Sequence, residues 1–100
     1  MSTKKQKYLI RSHQAGVFYG EIECDVNDAY IIKLKNARQI WYWEGAATIL
    51  ELSKYGTSKP NACKFTVVVD SITICNVVEI IPCTKQAMDS IDSVPEWREE

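Results

Sequence analysis

The chain has one hundred residues, 46% of them hydrophobic, which suits one compact domain with its own core. Twelve Lys plus Arg stand against thirteen Asp plus Glu, and this balance argues against a broad nucleic-acid footprint, which needs a basic excess. No stretch approaches the roughly 20 apolar residues of a membrane span.

The opening "MSTKKQKYLIRSH" is basic and polar, and "YLI" is too short for a signal core. The expected compartment is therefore the cytosol. Residues 1–6 read as a frayed end, and residues 1–100 as a single domain. From Lys7 to Ser12, Tyr8, Ile10 and Ser12 alternate with Leu9 and Arg11, which predicts a strand. "QAG" reads as a turn. "VFYGEIEC" alternates again, with Phe18, Gly20, Ile22 and Cys24 opposite Val17, Tyr19, Glu21 and Glu23. Gly20 inside that run predicts a bulge or sharp bend. "DVNDA" is a turn.

"YIIKLK" is a third strand, with Lys33 and Lys35 sharing a face opposite Ile32 and Leu34. Asn36 allows a tight turn or bulge. "ARQIWYW" is a fourth strand or a continuation of the third. Arg38, Ile40 and Tyr42 face one way there, and Gln39, Trp41 and Trp43 the other. The period then changes. Ala46, Ile49, Leu50 and Ser53 predict a helix over about 46–55, and Gly56 is a helix stop.

"TSKPN" is a loop. "CKFTVVVD" and "SITICNVVEIIP" are rich in Val, Ile and Thr and read as strands. Their near-continuous hydrophobicity predicts burial on both faces, or one face in the core and one in an oligomer interface. Asn76 is a candidate bulge, and Pro82 ends the run. Thr84 is then an N-cap, with Ala87, Met88, Ile91 and Val94 as the apolar stripe of a short helix. Residues 96–100 read as a solvated tail, although Trp97 can tuck back onto the domain. The expected fold class is α+β: a small bent antiparallel sheet or barrel-like core of five to six strands, one inserted helix and one short C-terminal helix.

Signatures of catalysis are absent. The chain holds no GxSxG, no Gly-rich phosphate loop and no HExxH. Glu21 and Glu23 read as a solvated strand face. The four cysteines, Cys24, Cys63, Cys75 and Cys83, form no CxxC pair, and His13 is the sole histidine. Buried thiols fit them better than zinc, so no metal, cofactor or enzymatic activity is expected.

Surplus chemistry gathers at Lys33, Lys35, Arg38, Trp41, Tyr42 and Trp43. Rings stack on a base and a guanidinium takes phosphate at two points, which suits a nucleotide. The same residue types are the usual hot spots of protein interfaces. A plainer reading has Trp41 and Trp43 filling the core beneath the helix, with Tyr42 at the rim. By alternation one set is inside and the other free, and Arg38 goes with Tyr42. "YGTSKPNACK", carrying Lys59, is either a flexible cover for an anionic ligand or a solvated connection. The candidate ligand-binding residues are Lys33, Lys35, Arg38, Tyr42 and Lys59.

Taken in order, "AGVFYGEI", "LKNARQIWYWEGAATILELSKYGTSKP", "CKF" and "VVEIIPCT" resemble a family of small uncharacterised proteins encoded by tailed bacteriophages. That resemblance implies an accessory protein in the host cytoplasm. Small phage proteins of this kind often block host defence, by sequestering a nucleotide signal or by binding a defence protein. More locally, "GEIECDVNDAYIIKLKN" is similar to the strand–turn–strand pattern of Sm-like proteins, including the bacterial RNA chaperone of that fold. Such barrels form rings by joining strand edges, so the resemblance implies a bent sheet and a homo-oligomer. The inserted and terminal helices depart from that pattern, and the charge balance places RNA or DNA binding last.

Overall fold

The computed structural model describes residues 5–23 and 31–99. Six strands and two helices lie among them: β1 (Tyr8–Ser12), β2 (Gly16–Ile22), β3 (Ile31–Tyr42), α1 (Ile49–Tyr55), β4 (Lys64–Phe65), β5 (Val69–Cys75), β6 (Val77–Pro82) and α2 (Lys85–Ser93). The expected α+β class is the one observed, with every strand pairing antiparallel in one sheet. The turn "DVNDA", Cys24 and Tyr30 fall outside the described residues.

The strand order is β4-β3-β2-β1-β6, and β5 also pairs with β3, ahead of β4. This order forces curvature. β5 and β6 are joined by Asn76 alone, yet they border opposite ends of the sheet. A flat sheet would hold them about 19 Å apart, at about 4.8 Å per strand. The sheet therefore bends back on itself, without closing into a barrel. Asn76, at φ 56°, turns the corner. Ser12 Oγ donates to the Cys75 carbonyl at 2.7 Å and the His13 amide to the Asn76 carbonyl at 2.9 Å, pinning the β1–β2 hairpin to that corner.

One bulge shapes β2 and β3. Across Gly20 the register slips from Tyr19↔Arg38 to Glu21↔Lys35, so three steps on β3 match two on β2. Asn36, at φ 50°, supplies the extra residue. A Cβ on Gly20 would lie 2.9 Å from the Ala37 Cβ, so glycine is what lets the two strands touch. The slip puts Lys35 and Arg38 on one face.

Alternation then divides the core in two. Leu9, Tyr19, Ile40 and Phe65 face the helices and pack with Leu52, Cys83, Ala87, Met88, Ile91 and Val94. Ile10, Phe18, Ile32, Leu34, Ala37, Ile74 and Val77 fill the concave side. The second helix forms where its predicted cap places it. Thr84 Oγ1 accepts from the Ala87 amide at 3.1 Å, and the whole predicted α2 stripe is buried. Thr48 caps α1 through the Glu51 amide at 3.1 Å, so α1 begins at Ile49 rather than 46. Gly56 ends it at φ 79°.

The β-rich segment after residue 62 breaks differently from the expectation. Strand structure stops at Thr66–Val68, not at Asp70–Ser71, because β4 and β5 pair with different halves of β3. The tail is not free from residue 96. Glu96 forms a parallel bridge with Phe65, and the Trp97 amide donates to the Phe65 carbonyl at 2.8 Å. Among the described residues no helix is long and apolar enough to cross a membrane.

Candidate functional site

The five residues expected to meet a ligand do not converge. Lys33 and Lys35 lie on the exposed face of the first half of β3, opposite buried Ile32 and Leu34. Lys33 Nζ is 3.4 Å from the Glu23 carboxylate, and Lys35 faces Glu21 across the ladder. Tyr42 ends the same strand, with its hydroxyl donating to the Glu44 carboxylate at 2.7 Å. That hydrogen bond is the main reason the Tyr42 phenol is held above its ordinary value. About 23 Å of extended chain separates Tyr42 from Lys35, at about 3.3 Å per residue.

Arg38 is the largest correction. It is 4% exposed and lies beneath α2, not beside a free Tyr42. Its guanidinium donates to five backbone carbonyls, those of Thr66, Ile91, Val94, Phe65 and Pro95. It also lies 5.4 Å from the centre of the Phe65 ring. These carbonyls cluster where α2 ends and where β4 stops, and a planar fork of donors can serve them together. Burial lowers the Arg38 pKa, while the Glu96 and Asp92 carboxylates pull it back up. Every direction in which Arg38 could take phosphate is filled by backbone.

Lys59 stands alone in the loop after α1, and that loop is anchored rather than flexible. The Ser58 amide donates to the Gly45 carbonyl at 3.3 Å, the Thr57 amide to Ser90 Oγ at 2.9 Å and the Lys59 amide to Thr57 Oγ1 at 3.0 Å. Thr57 Oγ1 itself donates to the Glu44 carbonyl.

Trp41 exchanges roles with Arg38, while Trp43 keeps part of its expected packing role. Trp43 is half-buried against the helix-side core, and its indole N–H donates to the Ala46 carbonyl at 3.1 Å. Trp41 is 61% exposed. Its ring stacks on Trp97, with centroids 6.2 Å apart and planes 25° from parallel, and Lys64 Nζ sits 5.3 Å from the Trp97 ring centre. Beside Trp41 an open groove of about 300 Å³ runs between the β1–β2 turn and the end of β3. Gln14, Gly16, Val17, Gln39, Trp41 and Trp43 line it. Gln14 and Gln39 carried no signal in the sequence, since an amide in a turn or strand is unremarkable until the fold places it beside a ring.

Two further surfaces are exposed. Val67 and Val68 lie in the break before β5, Val69 begins that strand, and Val78 and Ile80 lie on β6. Of the cysteines described, Cys63 and Cys83 are buried and Cys75 is exposed. No cluster of His, Cys, Asp or Glu that could hold a metal occurs among the described residues.

A small α+β domain with an open, bent sheet and a groove at one end of its longest strand is the class these features define. The chain belongs to the family DUF6948, a domain of unknown function, which matches residues 5–91. No curated protein and no solved structure matches it.

Proposed function

We propose that this protein acts by binding rather than catalysis, as a homo-oligomer that grips a partner protein. The observation that carries this reading is the pair of open sheet edges. Among the described residues β5 pairs only with β3 and β6 only with β1, so each presents an outer edge without a ladder partner. Exposed Val67, Val68, Val69, Val78 and Ile80 border those edges. Unpaired apolar edges are templates for another strand, and contiguous exposed apolar surface marks an interaction site.

The setting follows from the sequence resemblance: a phage accessory protein in the host cytoplasm, with a host defence protein as the partner. Sequestration of a nucleotide signal is the second reading. It loses Arg38 as a phosphate ligand but keeps exposed aromatic rings. An Sm-like binder of RNA or DNA comes last, because the charges balance.

Light scattering on the purified chain tests the first reading. The wild type should be oligomeric, and Val78→Lys should be monomeric with an unchanged circular dichroism spectrum. Affinity purification from infected cells should then return one stoichiometric host protein with the wild type only. A wild type that stays monomeric across the accessible concentration range removes the proposal.

A further inference from the structure

We infer that the groove beside Trp41 is a binding site for an uncharged planar heteroaromatic ring of the nucleobase type. The ring stacks against Trp41, and the Gln14 and Gln39 amides meet its edge. This inference rests on a binding role for the protein but not on self-assembly.

Four observations carry it. The groove has the size of the smaller ligand sites, about 300 Å³. Its lining holds two indoles and no charged side chain, so it suits an aromatic face and offers nothing to phosphate. The indole of Trp41 is already oriented by its stack on Trp97, so little rotamer freedom remains to be lost on binding.

The fourth observation concerns the edge. Gln39 Nε2 donates to the Ala15 carbonyl at 3.2 Å, which leaves the Gln39 carbonyl oxygen as an acceptor. Gln14 Oε1 accepts from Asn76 Nδ2 at 3.0 Å, which leaves the Gln14 amide as a donor. A donor and an acceptor flanking an aromatic face complement the paired acceptor and donor on a base edge. Gly16 leaves room for the Gln39 amide. It sits at φ 103°, and a Cβ there would press on Gln39 Nε2 at 3.2 Å.

The test is calorimetric titration of the full chain with adenosine, guanosine, cytidine and uridine, and with their 5′-monophosphates. At least one nucleoside should bind saturably, with its monophosphate no tighter, because no cation lines the groove. Trp41→Ala should weaken binding at least about tenfold, the size of one base–aromatic stack. Gln39→Ala should weaken it and change the order of preference among the four bases. Tyr55→Ala, which removes an exposed ring on α1, should bind as the wild type does, and circular dichroism confirms that each variant folds. Absence of binding by all four nucleosides at millimolar concentration overturns the inference. So does a folded Trp41→Ala variant with unchanged affinity. Light scattering on the same samples reports self-assembly separately, so either reading can fail alone.

Discussion

Arg38 Nη1 lies 3.0 Å from the carbonyl oxygen of Val94, the residue that caps the end of α2. This bond joins the middle of the longest strand to the end of the last helix, 56 residues later. With its companions to Phe65, Thr66, Ile91 and Pro95, it makes Arg38 the tie between the sheet, α2 and the tail.

Arg38→Ala is therefore expected to destabilise the fold by about 3 kcal/mol, since it removes five hydrogen bonds at once and leaves the Val94, Thr66 and Pro95 carbonyls without the donor that serves them. Arg38→Lys should recover little, because an ammonium cannot reproduce the planar fork. Urea denaturation of the two variants checks this. A folded Arg38→Ala with near wild-type stability would show that water or neighbouring donors can replace the guanidinium.

Gly20 and Ala37 form the second tight relationship. Gly20→Ala would bring Cβ within 2.9 Å of Ala37 Cβ and 3.0 Å of its Cα. Overpacking of this kind costs about 1–3 kcal/mol. Ala37→Gly in the same chain removes the nearest clashing atom, so the double variant should be more stable than Gly20→Ala alone. A double-mutant cycle measures the coupling. Additive losses would mean that the bend, not the close approach, is what glycine serves.

The third prediction concerns alkaline pH. Burial pushes the Cys83 thiol from its ordinary 9.0 up to about 12. Burial, and then the Asp92 carboxylate 2.9 Å from its hydroxyl, raises the Tyr19 phenol above its ordinary 10.0. In both cases the unfolded chain gives up its proton first. The stability these groups contribute is complete below pH 9.0 and falls as pH rises, first through Cys83 and above 10.0 through Tyr19 as well. Cys83→Ala should delay the loss until Tyr19 begins to contribute. Urea midpoints measured from pH 8 to 11 test this, and equal alkaline slopes in wild type and variant would contradict it.

By itself the sequence determined the elements whose causes are local. Period-two alternation marked β1, β2 and the two stretches that join as β3. Thr84 and the stripe Ala87, Met88, Ile91 and Val94 marked α2, and Gly56 marked the end of α1. Each signal lies within one window of chain, where side-chain direction and capping follow from backbone geometry. Gly20 announced the bend for the same reason.

Only the tertiary structure decided which face of β3 is covered. Alternation separated Arg38 and Ile40 from Gln39 and Trp41, but it also grouped Trp43 with Trp41, whereas Trp43 lies past a register shift between Ile40 and Tyr42 and packs on the helix-side core. Parity is also symmetric, so it does not say where a helix will land. α2 lands on Arg38, and the carbonyls there claim the guanidinium. Trp41 is left outside for Trp97 to stack upon. The groove is likewise a product of distance in sequence. Gln14 and Gly16 reach Gln39 and Trp41 only because β1, β2 and β3 stand side by side, and that juxtaposition is a property of pairing, not of any one strand.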